Sequence, residues 1–403
     1  MSWSQVSVDS ITVDSAFGPR FSGACYTEEG NVATLRTTDL SVDGVISLET
    51  MPEANVEEEK FSNHYLQVGD LVISRSGRIG TTAIFNGYHK PVLPGAFLIR
   101  FRLDTSKASP LFYRYFFNSV EGQQLLHSVA RGAAQQNINI TNVRNLFIPL
   151  PPLETQELIA EILSCYSDLI ENNHRRIQLL EESARLLYQE WFVYLRFPGH
   201  EQVKITDGVP EGWEPTLVPD VIDVNPRTPV EKGKEIWYVP MSSLSETAMT
   251  ANTADFERRT KHTNVKFKKN DVLLARITPC LENGKTGYAY FLAEDEVACG
   301  STEFIVLRGN RIPSEFVYCL ARSYPFRENA IKSMTGSSGR QRVQNSCFDK
   351  YAVPLPPKSI LDEFVQVVQN NFDQIRNLMA QNAKLAQARD LLLPKLMSGE
   401  LTV

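Results

Sequence analysis

No apolar run in the sequence approaches the ~18 to 20 residues needed to span a bilayer, so a membrane-spanning helix is not expected. The N-terminal stretch Met1-Ser2-Trp3-Ser4-Gln5 has no basic region leading into an apolar one, and a cytoplasmic location is the expectation. The six cysteines (Cys25, Cys165, Cys280, Cys299, Cys319 and Cys347) include no C-x-x-C pair and none near a histidine at zinc spacing. They read as small apolar residues in a reducing compartment, and no metal site is expected. Catalytic motifs are missing as well. The grip that amino-methyltransferases use on their target amine, Asn-Pro-Pro-aromatic, has only Asn225-Pro-Arg227 as its nearest string. Gly284-Lys285-Thr286 resembles the tail of a phosphate loop, but Pro279 stands where the earlier glycine is required. The carboxylates Glu294-Asp295-Glu296 fall in a polar, solvated turn. No catalytic residue is assigned.

Nor is there an excess of positive charge. The formal net charge is −6, which at first argues against nucleic acid, but it is unevenly spread. Residues 1–150 carry 12 Lys+Arg against 14 Asp+Glu, residues 151–229 carry 6 against 14, residues 230–350 carry 18 against 14, and residues 351–403 carry 5 against 5. The acidity sits in one segment, and residues 230–350 are basic. Whole-chain charge therefore excludes nothing.

What is present is a duplication with a period near 200 residues. Ile148-Pro-Leu-Pro-Pro152 returns as Val353-Pro-Leu-Pro-Pro357, and Gly69-Asp-Leu-Val-Ile-Ser-Arg75 as Asn270-Asp-Val-Leu-Leu-Ala-Arg276. Phe97-Leu-Ile-Arg100 has a counterpart in Phe304-Ile-Val-Leu-Arg308, and Gly132-Ala-Ala-Gln-Gln-Asn137 loosely matches Gly336-Ser-Ser-Gly-Arg-Gln341. The order is kept, so the chain reads as a tandem pair of domains rather than a solenoid. In each half, Asp70 to Ile73 and Asp271 to Ala275, with Ala96 to Phe101 and Phe304 to Leu307, predict buried strands. Leu111 to Ser119 and Glu315 to Arg322 are more helix-like.

Each proline tract ends its half sharply, because proline bars the preceding residue from helical geometry. A long helix is predicted after each, with Ser359 as candidate cap of the second. From Glu154 to Tyr194 there is no Pro or Gly. Steps of four and three give Ile159, Leu163, Tyr166, Ile170, Asn173, Ile177, Leu180, Ala184, Leu187, Trp191 and Tyr194, ten of eleven apolar. From Leu361 they give Val365, Val368, Phe372, Ile375, Met379, Asn382, Ala386, Arg389, Leu393 and Leu396. Sustained a/d spacing predicts a coiled coil, with a kinked or frayed end at Pro394. A helix of this length is roughly 60 Å long, too long for one small domain, so the two seams are expected to bury each other.

These residues resemble the specificity subunits of Type I restriction–modification enzymes. The resemblance lies in Phe147-Ile-Pro-Leu-Pro-Pro-Leu-Glu-Thr-Gln156 and Tyr351-Ala-Val-Pro-Leu-Pro-Pro-Lys358, in Gly69-Asp70 and the Gly336 to Gln341 loop, and in Leu396-Met-Ser-Gly-Glu-Leu401. It covers essentially the whole chain and implies an α+β fold. Two mixed α/β target-recognition domains would each be followed by a long helix, the helices pairing as an antiparallel coiled coil. The expected boundaries are 1–152 for the first recognition domain, 153–197 for the central helix, 198–357 for the second domain with a linker at 198–215, and 358–403 for the distal helix. The resemblance further implies double-stranded DNA with a bipartite target, two docked methyltransferase subunits, and motor-nuclease subunits. S-adenosylmethionine, ATP and magnesium would belong to those partners. In an antiparallel pair with Ile159 near Leu396, Asn173 and Asn382 fall at one level.

Phosphate binding calls for Lys, Arg, hydroxyls and amides, and base reading for Arg, Asn, Gln and Lys. In the first half the candidates are Arg75, Ser76, Arg78 and Thr81, then Arg131, Gln135, Gln136 and Asn137. In the second they are Arg276 and Lys285, then Ser337, Ser338, Arg340, Gln341 and Arg342, with Arg258, Arg259 and Lys261 as a further basic patch. Arg36-Thr37-Thr38 and Ser301-Thr302 are weaker. The stretch from Glu154 to Glu190, with 8 Asp+Glu against 3 Arg, suits a protein partner, and Glu181 and Glu182 are the docking candidates. The competing reading is a scaffold or adaptor of two non-DNA modules held by a coiled coil. The basic second half and its Gly-Ser-Arg-Gln loop argue against it.

Overall fold

The computed structural model describes residues 3–41, 43–130, 137–337 and 339–403. The chain forms two compact units, Met1–Ile170 with Ala383–Val403, and Glu171–Asn382. The division cuts across the two long helices, Leu153–Tyr188 and Lys358–Ser398, so that each unit contains one globular repeat and a portion of both helices.

In the first unit an antiparallel sheet runs in the order Thr12–Phe17, Leu98–Leu103, Leu71–Ser74, Thr82–Ile84. A second sheet runs Tyr26–Thr27, Glu53–Ala54, Val32–Leu35, Val92–Pro94, its last two strands parallel. Leu71–Ser74 and Val32–Leu35 are buried at every position, which is why they read as continuous apolar runs rather than alternating ones. Two short helices follow. Ser109 accepts from Phe112 N–H to cap Pro110–Asn118, and Ser119 accepts from Gly122 N–H to cap Val120–Ser128. Phe112, Tyr113, Phe116 and Leu126 pack with Leu163, Leu396 and Met397, so the ends of both long helices are part of this core.

The second unit repeats the plan. Its sheets run Ile222–Val224, Phe304–Gly309, Val272–Ala275, Thr286–Tyr288, and Glu257–Arg259, Ile236–Val239, Val297–Gly300, Val265–Lys268. Ile236–Val239 and Val297–Gly300 are the parallel pair. Helices Ser314–Arg322 and Tyr324–Lys332 come next. In both repeats a strand near the start pairs antiparallel with the proline-tract strand at the end: Ser4–Ser7 with Phe147–Leu150, and Glu214–Leu217 with Ala352–Leu355.

The acidic residue of each Gly/Asn-Asp motif has a defined job. Asp70 is buried, takes the fork of Arg102 (Nε and Nη2, both 2.8 Å) and accepts from Gln67 N–H at 2.8 Å. Asp271 takes Arg308 (Nε and Nη2, both 2.7 Å) and Lys268 N–H at 2.8 Å. A carboxylate with this many charge-assisted bonds holds the strand start and the neighbouring strand together.

The helix seams follow the predicted spacing. Ile159, Leu163, Asn173, Ile177, Ala184 and Trp191 are buried, as are Leu361, Val368, Phe372, Ile375, Asn382 and Leu396. Asn371 Nδ2 donates to Leu180 O at 3.2 Å, and Asn173 pairs with Asn382, so numbers rise on one helix as they fall on the other: the pair is antiparallel. Three expectations need correction. Tyr194 is exposed, because the first helix ends in a π turn over Gln189–Val193 that rotates the seam out of phase. Pro394 does not fray the second helix, which runs on through it to Ser398. That helix starts at Lys358, so Ser359 lies inside its first turn and is not its cap; Lys358 instead pairs with Asp362.

Candidate nucleic-acid interface

In the first repeat the turn joining Leu71–Ser74 to Thr82–Ile84 is bonded to itself. Ser74 N–H donates to Thr81 O and Gly80 N–H to Ser74 O, each at 2.9 Å, and the Ser74 hydroxyl donates to Arg78 O. Gly77 and Gly80 take positive φ (75° and 84°), which fits glycine there. Of the predicted contacts in this turn, Arg78 is exposed and Arg75 half-buried, its guanidinium 4.5 Å from the centre of the Phe17 ring. Ser76 and Thr81 are buried, and Thr81 Oγ1 donates to Arg78 O at 3.3 Å. Thr81 thus ties back into the turn it closes, and neither side chain is on the exposed edge. Asn137 is half-buried, next to Ile138, whose N–H donates to Arg75 O at 3.1 Å. Arg131, Gln135 and Gln136 lie outside the described residues.

In the second repeat Arg276, Gln341 and Arg342 are brought together. Arg276 Nη2 donates to Val343 O at 3.1 Å, Gln341 N–H donates to Thr278 Oγ1 at 3.0 Å, and Thr278 N–H donates to Gln341 O at 3.1 Å. Thr335 and Arg342 exchange backbone bonds at 3.0 and 2.9 Å, which closes the Gly336 to Gln341 loop at its base. Ser337 and Arg340 are exposed on that loop, and Ser338 lies outside the described residues. Lys285 is half-buried with its Nζ 3.5 Å from Met241 O, so its charge faces backbone rather than open solvent. The predicted basic patch lies on another strand, at an edge of the second sheet. Arg258 stacks on Trp237 at 3.8 Å and Arg259 on Tyr238 at 3.4 Å, with Lys261 exposed beyond them. Arg259 places Nε and Nη2 on Glu257 (3.0 and 2.6 Å) and Arg258 Nη1 stands 3.9 Å from Glu296, so both charges are partly met by acids while the rings hold their direction.

Residue types alone did not pick out the aromatic side of the first repeat. A cleft of about 600 Å³ is lined by Arg20, Phe21, Tyr26, Arg36, Thr37 and Phe97, among others. Phe97 is 56% exposed at this cleft. Arg36 forks onto Asp39 (Nε 3.1 Å, Nη2 2.8 Å), and this tie holds it at the edge. The second-repeat equivalent, Glu303, was likewise missed. It takes Arg342 at 2.7 to 3.0 Å.

The two docking candidates separate. Glu182 is exposed. Glu181 is 2% exposed, so its assignment to an outer surface is corrected. It accepts from Met249 N–H at 2.7 Å and from the Tyr318 hydroxyl, and Arg322 Nη2 stands 3.9 Å away. Burial pushes the Glu181 carboxyl up, against the opposing pull of Tyr318, Arg322 and the Met249 amide. It joins the first long helix to the second globular repeat. On the same helix Leu158 and Leu169, and further along Leu179 and Leu186, are exposed among Glu157, Asp168 and Glu182.

The sequence profile of the Type I restriction modification DNA specificity domain matches residues 9–182 and again 210–387. The chain is 25% identical over 304 residues to the Type I restriction enzyme MjaIX specificity subunit of Methanocaldococcus jannaschii, covering 72% of this chain and 68% of that one. It is 31% identical over 156 residues to the EcoEI specificity subunit of Escherichia coli, covering 38% and 26%. The fold is similar to the crystal structure of the Type I restriction–modification system S subunit from M. genitalium, with a TM-score of 0.57 at 15% identity over 98% of this chain and 96% of that one. One profile matched twice, two repeats of one fold and a long helix after each lead to one assignment: the chain belongs to the Type I restriction–modification DNA specificity family.

Proposed function

We propose that the chain is the non-catalytic DNA-reading subunit of a Type I restriction–modification complex, each repeat reading one half of a bipartite target. The observation that carries this is the repeated construction of the reading edge. The same backbone bonds frame it in both repeats: Arg75 N–H to Phe97 O and Ile138 N–H to Arg75 O in the first, Arg276 N–H to Glu303 O and Val343 N–H to Arg276 O in the second. Two methyltransferase subunits dock on the exposed faces of the long helices, where Leu158, Leu169, Leu179 and Leu186 stand among acidic residues. Exposed apolar side chains rimmed by charge suit a protein partner better than a phosphate backbone. Motor-nuclease subunits join that assembly in the cytoplasm. S-adenosylmethionine, ATP and magnesium are carried by the partners, and the chain holds the DNA in place for their chemistry.

The test is a methylation assay with the chain alone, with a co-expressed methyltransferase subunit, and with that subunit alone, followed by mapping of the modified genomic sequence. The expected result is methylation only by the combination, at a two-part sequence with a non-specific spacer. Methyl transfer by the isolated chain, or a modified sequence independent of its presence, refutes the proposal.

A further inference from the structure

Backbone pairing aligns the reading edges of the two repeats residue by residue. Arg75 N–H donates to Phe97 O, and Arg276 N–H donates to Glu303 O, both at 2.9 Å. Ser74 lies opposite Leu98 as Ala275 lies opposite Phe304. Ile138 and Val343 close onto Arg75 and Arg276 in the same way. Phe97 and Glu303 therefore occupy one place in the repeated fold, and the match of Phe97 with Phe304 read from the sequence is corrected by one residue. Asn137 and Arg342, which precede Ile138 and Val343, occupy another.

The chemistry at these two places differs between the repeats. In the second, Arg342 Nε and Nη2 grip the Glu303 carboxylate at the surface, with the Arg342 side chain 47% exposed. Exposed pairs of this kind contribute little to stability, so holding the guanidinium in one direction is the more significant effect. Arg342 has five N–H donors, and the grip uses only some of them; the rest are presented outward. A planar donor group held this way matches guanine O6 and N7. In the first repeat the charged pair is replaced by a ring and an amide. Phe97 has no hydrogen-bonding capacity and stands exposed beside Phe21 and Tyr26. A phenyl ring makes apolar contact with the thymine methyl.

We propose that these places determine specificity: Arg342, oriented by Glu303, selects a guanine·cytosine pair in one half-site, and Phe97 selects an adenine·thymine pair in the other. The inference rests on the DNA-reading role proposed above. In it Glu303 is a positioning residue that acts through Arg342.

The experiment maps genomic methylation by the chain with its methyltransferase subunit, in a host without other DNA methylation, for wild type, Arg342→Ala, Glu303→Gln and Phe97→Ala. Arg342→Ala is expected to relax one guanine·cytosine position in one half-site, by about 5- to 150-fold in discrimination. Glu303→Gln should relax the same position less. Phe97→Ala should relax an adenine·thymine position in the other half-site. The double variant Glu303→Phe with Arg342→Asn should move its position towards adenine·thymine. Arg342 and Phe97 are exposed and Glu303 is half-buried, and thermal denaturation of each variant checks that it folds. Unchanged preferences in Arg342→Ala and Phe97→Ala overturn the proposal. So does a uniform loss of DNA binding over all sequences with a shallower salt dependence, which assigns Arg342 to phosphate. A wild-type complex with no two-part methylated sequence refutes the underlying reading instead.

Discussion

Asn173 donates its side-chain amide to Asn382 across the two long helices, Nδ2 to Oδ1 at 2.8 Å, and both are buried. Each is the polar step in an otherwise largely apolar seam. A buried amide is satisfied at only one register of the pair, so this contact selects against slipped alternatives at some cost in stability. Replacing either asparagine by leucine leaves the other amide without its partner and should cost roughly 1–3 kcal/mol. The double leucine variant should lose less than the sum of the singles. Denaturant unfolding of all four proteins measures the coupling, and strict additivity would show that the two amides do not depend on each other.

Glu181 and Glu182 are neighbours in sequence with opposite expectations. Glu181→Lys places a positive charge beside Arg322 in a closed site and should destabilise the second unit by roughly 3–5 kcal/mol, the range for breaking a buried pair. Glu182→Lys should leave stability within ~0.5 kcal/mol while weakening co-purification with the methyltransferase subunit. Melting and pull-down of both variants separate folding from docking.

The raised affinity of Glu181 for its proton makes stability depend on pH. A carboxyl that holds its proton more tightly when folded contributes most below its unfolded value, and that contribution falls as pH rises through the folded one. The stability of wild type relative to Glu181→Gln should therefore decline from pH 4 upward. Denaturant midpoints of the two proteins across pH 4 to 8 check this, and a difference that grows with pH would reverse the sign.

The Asp–Arg forks should fail locally. Asp70→Ala leaves the Arg102 guanidinium without its carboxylate, and Asp271→Ala does the same to Arg308; each should cost roughly 3–5 kcal/mol. Hydrogen exchange is expected to rise in the first repeat for Asp70→Ala and in the second for Asp271→Ala. Equal loosening of both repeats by either substitution would contradict this.

Inserting one heptad into each long helix at matched levels lengthens both by about 10 Å while keeping the seam in phase. If the helices measure the distance between half-sites, the methylated sequence keeps both halves and gains spacer. Methylome sequencing of the insertion variant decides, and an unchanged spacer in an active complex would show that they do not.

Much of this was legible in the residues. Periodicity found the seams, because burial along a helix leaves a repeat of three and four, and simple arithmetic placed Asn173 level with Asn382. The duplicated proline tracts and Gly69-Asp70 with Asn270-Asp271 revealed two copies of one fold. Side-chain direction was harder to read. Glu181 looks like one more exposed acid until helix Ser314–Arg322 brings Tyr318 and Arg322 to it. Ser76 and Thr81 have the composition of a phosphate contact, yet both are buried, and Thr81 bonds back to Arg78 O. Phe97 carries no polar group to attract notice, and only the strand pairing shows that it stands where the second repeat has Glu303.

The strand pairs that close each repeat have a further consequence. Ser4–Ser7 lies against Phe147–Leu150, and Glu214–Leu217 against Ala352–Leu355. Entry and exit of each repeat are thus hydrogen-bonded side by side. A segment built this way is a cassette: a break at each of its two paired strands exchanges one whole repeat for another of different length without stretching the helix that follows. On the DNA-reading role proposed above, new half-site combinations then arise by shuffling intact readers, with no need to evolve a reading edge one substitution at a time.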